Sequence, residues 1–131
     1  MLLDQLEREL RSAHGLALSE YEVLVRLSEA PNRTIRMAEL ADRVALSRSR
    51  TTHTVGRLEG RGIVRREPCD EDGRGVQAVL TDDGFALLEV AAHTHVRGVQ
   101  EHFVTLASAG EFTAIGQVMD RVRESLDGKR F

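Results

Sequence analysis

Ser47-Arg48-Ser49-Arg50-Thr51-Thr52-His53 and, a turn further on, Arg57 gather hydroxyl, guanidinium and imidazole groups into one short stretch. Their chemistry is hydrogen-bond donation, not bond-making. Guanidinium forks suit phosphate and the guanine edge, and hydroxyl and imidazole suit shorter polar contacts. On a helix, at about 100° per residue, Thr51, Thr54, Val55 and Leu58 share one face, which should be buried. Ser49, Thr52, His53 and Gly56 lie opposite, with Arg50 and Arg57 at the edge. Ser47 in front would cap the helix and favour a phosphate there, aided by the dipole. Ser47, Arg48, Ser49, Arg50, Thr52, His53 and Arg57 are therefore the candidate DNA contacts. Gly56 costs about 1 kcal/mol relative to alanine in a helix, a cost that close approach to DNA would explain. A further donor, Arg74, stands at the tip of a Pro-, Asp- and Gly-rich connection, where a lone arginine fits a narrow minor groove. Asp72 is placed to pair with it and shape the tip. The bland counterpart for the helix arginines is an ordinary solvated charge, which clustering on one element disfavours for all of them at once; for Arg74 it is a solvated turn chosen for flexibility.

Other chemistry finds little footing. On one helix His93 and His95 point about 200° apart, and His95 and His102 lie roughly 10 Å apart along the axis, so neither pair chelates an ion. They read as surface or interface histidines, and no metal or cofactor is expected. Cys69 has Arg65 and Arg66 to lower its pKa and Asp70 and Glu71 to raise it, and reads as an inert thiol. The chain has no nucleophile–base constellation, glycine-rich phosphate loop or paired-carboxylate pattern, which argues against an enzyme.

The elements that must position these donors follow from periodicity. Leu3, Leu6, Leu10 and Ala13 predict a first helix over residues 2–13, ended near Gly15. Ser19 and Glu22 form a capping-box pattern for a second helix that stops before Pro31 and Asn32. Thr34–Arg36 is a small strand able to pair with the hairpin. Met37, Leu40, Ala41 and Val44 make an amphipathic third helix. After a short turn the fourth helix carries the donors, ending at Gly60 and Gly62. Ile63–Glu67 and Val76–Leu80 are strands of a hairpin wing. From Phe85 to Leu106 an apolar stripe holds over about 25 residues, roughly 37 Å of helix. A Ser108–Glu111 box then opens a sixth helix with Phe112, Ile115, Met119, Val122 and Leu126 on one face. The fold expected is mainly α with a small β-wing: a winged helix-turn-helix of about six helices. Residues 1–131 form one domain, with 18–82 the DNA-binding part and 1–17 and 83–131 dimerisation helices, because so long an apolar stripe needs cover from a second copy.

Composition agrees once charge is resolved along the chain. The net charge is −3 over 131 residues. Residues 33–66 nevertheless carry nine arginines against three carboxylates, while segments 1–32, 67–80 and 81–131 are each at −3. A basic middle between acidic flanks is the footprint of a local phosphate-binding face. Lys129 is the sole lysine, a bias that bidentate recognition and GC-rich coding explain equally well. One cysteine excludes an internal disulfide and suits a reducing cytoplasm. No apolar run approaches a membrane span, and no secretory signal opens the chain. The competing reading is a winged helix serving as a protein-interaction module without operator binding, which would call for a mixed or acidic fourth helix rather than one with Arg48, Arg50 and Arg57.

Met37-Ala38-Glu39-Leu40-Ala41, Leu46-Ser47-Arg48-Ser49, Arg57-Leu58-Glu59-Gly60-Arg61-Gly62-Ile63-Val64-Arg65-Arg66, Asp70-Glu71-Asp72-Gly73-Arg74 and Val79-Leu80-Thr81-Asp82-Asp83-Gly84 together resemble the MarR family of bacterial transcription regulators. The resemblance spans about residues 16–127. It implies a homodimer on a pseudo-palindromic operator in double-stranded DNA, with the fourth helix in the major groove and the wing arginine in the minor groove. It also implies that many relatives are repressors released by small aromatic or phenolic effectors, or by oxidation. An effector lodged between helices one, two and five would change the spacing of the reading helices, with His14 and Tyr21 lining the pocket. The chain departs from the family pattern in three places. Thr51 and Thr54 stand where larger aliphatics are usual, so the fourth helix should be packed less firmly. His53 and Gly56 replace longer polar residues, and the first helix is short. Peroxide-sensing relatives carry a reactive cysteine in the first helix, where this chain has none.

Overall fold

The computed structural model describes residues 1–69 and 75–128. Six α-helices and three strands follow in the order α1 (Leu2–His14), α2 (Leu18–Glu29), β1 (Thr34–Arg36), α3 (Met37–Arg43), α4 (Arg48–Gly60), β2 (Val64–Pro68), β3 (Val76–Leu80), α5 (Asp82–His102) and α6 (Ala109–Gly128). Single 3-10 turns at Pro31–Arg33 and Val104–Leu106 precede β1 and α6. Two compact units divide the chain, Met1–His95 and the remainder from Val96.

The first unit holds the core. Leu10, Leu16, Val23, Leu24, Leu27, Leu40, Val55, Leu58 and Val64 are all essentially solvent-free and join one apolar cluster drawn from α1 to β2. The strands are antiparallel in the order β1-β3-β2, with Ile35 opposite Ala78 and Arg66 opposite the same residue on the other side. Thr34–Arg36 thus pairs with the wing as its pattern suggests, and β2 runs one residue further than expected, through Pro68. α3 buries Leu40 and Ala41, and the turn to α4 passes through Ala45 at φ 54°. A left-handed step at a residue with a Cβ costs about 1 kcal/mol, which the packing of α3 and α4 on the core must offset.

Two expectations change. The second helix is not capped by a Ser19–Glu22 box. It begins at Leu18 behind an extended Ala17, and the Glu20 carboxylate accepts the Ala17 N–H at 2.7 Å. The Leu18 N–H donates to Glu7 of α1 at 2.9 Å. Leu16 and Ala17 are buried, so core packing starts the helix ahead of the hydroxyl that local pattern singled out. The stripe of the fifth helix is also not continuous to Leu106. α5 ends at His102, and Phe103 leaves helical geometry at φ −134°, ψ −61°.

Within the second unit, the Phe103 and Phe112 rings meet edge-on at 6.2 Å, so the turn forms its own small apolar contact. The capping box ahead of α6 forms as read: Ser108 N–H donates to Glu111 at 3.0 Å and Glu111 N–H to Ser108 Oγ at 3.1 Å. Phe112, Ile115, Val118, Met119, Val122 and Leu126 on α6 are all exposed. Among the described residues, no helix is long and apolar enough to cross a membrane.

Candidate nucleic-acid interface

The reading helix is α4. Ser47 stands at its N-cap with extended backbone and accepts the Arg50 N–H on Oγ at 3.2 Å, satisfying one of the free amides of the first turn. Thr51, Thr54, Val55 and Leu58 form its buried face. Thr51 and Thr54, expected to pack loosely, are only 1% and 4% exposed. The Thr51 hydroxyl returns to the Ser47 carbonyl at 2.9 Å, so it enters the core without an unmet hydrogen bond. Ser47, Arg48, Ser49, Arg50, Thr52, His53 and Arg57 are all exposed on the same helix. Thr52 donates its hydroxyl proton to the Arg48 carbonyl at 2.9 Å, which leaves its oxygen as an acceptor toward a base amine.

The exposed groups do not face one way. Arg48 and Thr52 line a hollow of about 270 Å³ with Arg36 and Met37 at the β1–α3 junction and Gly75 and Val76 at the foot of the wing. Ser49, Arg50, His53 and Arg57 line another of about 310 Å³ on the α2 side, where Ser19 joins them. The first hollow lies between reading helix and wing, and the second between reading helix and the start of α2.

Most of the basic segment is answered by nearby carboxylates. Arg43 pairs with Glu39 at 2.7 Å and Arg65 with Glu67 at 3.2 Å. Arg33 reaches Asp82 at 3.3 Å and lies 3.9 Å over the Phe85 ring. Arg57 stands 3.8 Å from the nearly buried Glu20. Arg48 and Arg50 make no ion pair among the described residues, which leaves two uncompensated charges on the first turn of α4.

The wing is tied rigidly to this helix. Glu59, near the end of α4, accepts the backbone N–H of Arg66 at 2.9 Å and its guanidinium at 3.0 and 3.2 Å. That backbone bond first, and then the guanidinium, hold the Glu59 carboxyl below the usual carboxylate range. Arg66 also lies near Gly56. This glycine is half-buried, and a Cβ there would sit 3.8 Å from the Arg66 guanidinium. Gly56 therefore has the Arg66 guanidinium at ordinary contact distance, and it stays partly exposed on α4. The foot of the wing closes through Cys69 N–H to Gly75 O at 2.9 Å. Asp72 and Arg74 lie outside the described residues.

A third hollow, of about 430 Å³, opens between α1, α2 and α5, where Glu22, Arg26 and Glu29 join an apolar lining that includes Leu3, Leu6, Tyr21 and His95. Tyr21 and His95 rings stack obliquely, with centroids 4.8 Å apart. Burial raises the Tyr21 phenol above its usual value and pushes the His95 imidazole below its own. His95 Nδ1 is shielded from solvent without a hydrogen-bond partner. His14, which was expected to share this site with Tyr21, does not line it. Its Nε2 lies 2.7 Å from Thr94 Oγ1 instead, because the αL turn at Gly15 directs the end of α1 toward α5.

Comparison with known proteins decides the family. A sequence model described as the MarR family matches residues 14–75. The solved structure of AbsC, a MarR family transcriptional regulator from Streptomyces coelicolor, is 38% identical with a TM-score of 0.87, covering 97% of this chain and 85% of that one. Sco3205, a MarR family transcriptional regulator of the same organism solved in complex with DNA, is 40% identical with a TM-score of 0.89, covering 95% of this chain and 78% of that one. The chain belongs to the MarR family of transcriptional regulators. The HTH-type transcriptional regulator PecS of Dickeya dadantii (strain 3937) is 29% identical over 132 residues, covering 99% of this chain and 78% of that protein.

Within that family frame, three residues were missed by pattern alone. Arg36 reads as a strand residue, and its one signal was its place in the basic segment just before α3. Ser19 reads as a cap, and only tertiary packing sets it beside Arg50 and His53. His95 was set aside with its metal-poor neighbours, although its partner Tyr21 was named. Cys69 is buried, its Sγ 3.8 Å from Gln77 Oε1, which suits an inert thiol better than an exposed redox switch. Among the described residues, no three His, Cys, Asp or Glu side chains group to hold a metal ion.

Proposed function

We propose that this MarR-family regulator binds a pseudo-palindromic operator sequence-specifically as a cytoplasmic homodimer, and acts as a repressor rather than a catalyst. The observation that carries the reading is the capped, unpaired N-terminal turn of α4. Ser47, Arg48, Ser49 and Arg50 present donors there without competing carboxylates, and Thr52 and His53 extend the surface by one turn. A major groove admits a helix in this way, and arginine discriminates guanine by two parallel bonds. Residues 18–82 would form the DNA-binding part. Residues 1–17 and 83–131 would form the dimerisation helices, with Arg74 and Asp72 of the wing toward the minor groove.

Regulation by a small aromatic effector fits the Tyr21–His95 hollow, whose volume falls within the range of small-molecule sites. The His95 ring and the half-buried Tyr21 would give such a ligand an aromatic wall, and Glu22, Arg26 and Glu29, which also line the hollow, would give it polar contacts. Selection of bound fragments from the source genome, followed by fluorescence anisotropy across a salt series, tests the DNA reading. A specific fragment should bind with a steep salt slope, since each neutralised phosphate contributes about −0.9 to it. Salt-insensitive binding, or none, would reject it. Salicylate-like aromatic acids should then release the fragment, and failure of all of them would remove effector control.

A further inference from the structure

The C-terminal end of the reading helix is held as deliberately as its N-terminal end, through a residue that touches no candidate DNA contact. Arg61 follows α4 directly. Its guanidinium donates to the Gly15 carbonyl at 2.9 Å and to the His14 carbonyl at 3.2 Å. Those are the last carbonyls of α1, left without intrahelical partners at the negative end of its dipole. A planar, permanently charged fork satisfies both from separate nitrogens in a fixed geometry, whereas a lysine ammonium would have to reach both from one point on a flexible stem. Gly15 fits the arrangement, since it holds the left-handed φ of 66° that ends α1, a conformation glycine adopts without steric cost. His14 continues the chain of contacts, since its imidazole meets Thr94 of α5 at 2.7 Å.

We infer that Arg61, His14 and Thr94 form a polar brace that sets the angle at which α4 and the wing are presented, making them positioning residues for operator recognition. The inference rests on the operator-binding reading above. Its mechanical basis is leverage. Glu59 and Arg66 lock α4 to β2, and Thr81 Oγ1 bonds the Gly62 and Ile63 carbonyls at 2.7 and 2.9 Å. Helix and wing therefore turn together about the point where Arg61 grips α1. A 13-residue helix is about 20 Å long, so a tilt of about 10° at Arg61 moves Ser47 and Arg50 by about 3 Å. A hydrogen bond to a base edge does not survive that displacement, whereas attraction to phosphate falls off gently with distance. The brace thus governs discrimination between sequences more than total affinity for DNA.

The test compares Arg61→Gln, Arg61→Lys, Thr94→Val and the double variant Arg61→Gln/Thr94→Val by anisotropy on operator and on random duplex at one salt concentration. Arg61→Gln should weaken operator binding by about tenfold and random binding by less than about threefold, with Arg61→Lys recovering only part of the loss. Thr94→Val should shift the same ratio in the same direction, and the double variant should lose less than the sum of the singles. Equal losses on both duplexes would make Arg61 an ordinary phosphate contact and overturn the brace. Additive losses would remove His14 and Thr94 from it. If Arg61→Gln proves unfolded by circular dichroism, Thr94→Val, which deletes one hydroxyl at nearly constant volume, decides alone: unchanged discrimination rejects the inference. Failure of the wild-type protein to prefer any sequence would instead reject operator binding itself.

Discussion

Not every arginine on the reading helix has the same freedom to meet DNA. Arg50 lies on the first turn without an ion-pair partner, while Arg57 must leave Glu20, whose other oxygen caps α2. Arg50→Ala should therefore weaken operator binding by about 1–3 kcal/mol and Arg57→Ala by clearly less, since part of its interaction is already internal. A larger loss for Arg57 in an anisotropy titration would reverse this ranking. Arg74→Ala should also cost about 1–3 kcal/mol if the wing arginine enters the minor groove, and unchanged affinity at moderate salt would strike it from the site. His95 gives a pH dependence with a definite sign. Burial depresses its folded pKa, so on acidification the unfolded chain takes up the proton first. The stabilisation is complete above the usual histidine value and is lost as pH falls through it to the lower folded value. Wild-type urea midpoints should drop as the pH falls through and below the usual histidine range, and His95→Phe should remove that component of the slope. Parallel slopes for the two proteins would show that His95 takes no part.

The elements owe their placement to a few close fits, and these tell how much the sequence could disclose. Gly84, in the first turn of α5, sits where a Cβ would press into the Ile63 carbonyl and lie 2.7 Å from Leu80 Cδ1. Gly84→Ala should destabilise the fold by about 3 kcal/mol in urea titration, because backbone on one side and core on the other leave nowhere to move. An unchanged midpoint would mean the α5 start can shift freely. Ser47→Ala should cost about 1 kcal/mol by the same measurement, from the lost cap on α4, and its operator affinity should fall as the first turn frays. The helix-turn-helix, both hairpin strands and the buried face of α4 were legible because apolar period and turn residues agree there. The start of α2 was not, because Leu16 and Ala17 enter the core and Glu20 caps from inside, a tertiary effect that overrides the Ser19–Glu22 pattern. The end of α5 was missed because the apolar stripe continues in sequence straight through the break at Phe103, so periodicity carries no mark of it. The donors of α4 were readable as residues, but their division into two hollows, and the pairing of Arg33 with Asp82 and of Arg57 with Glu20, depend on partners far away in sequence. His14 shows the same limit: proximity in sequence to the first helix end could not reveal that its ring meets Thr94 of α5 rather than the Tyr21 hollow.

At the scale of the whole molecule the governing fact is an apolar surface that one chain leaves uncovered. Phe112, Ile115, Val118, Met119, Val122 and Leu126 are each between 42% and 58% exposed on α6, and Leu2 and Leu3 on α1 are exposed as well. A row of six large apolar side chains at helical spacing exceeds the scattered exposure normal for a monomer. Self-association through a two-fold axis would cover it with an identical surface, and two reading helices related by that axis would meet successive major grooves about 34 Å apart. Sedimentation equilibrium at micromolar concentration should therefore return about twice the 14.6 kDa chain mass. Ile115→Glu/Val122→Glu should shift the protein toward the single-chain mass, because each change sets a carboxylate in the contact and opposes it with its symmetry mate. Operator affinity should fall with it, while binding to a half-site duplex should change little, since α4 and the wing lie in the other unit of the chain. The loss arises because linking two half-sites supplies an effective concentration that a monomer lacks. A wild-type monomer that still binds a full palindrome tightly would overturn the dimeric arrangement, and with it the assignment of the α6 face.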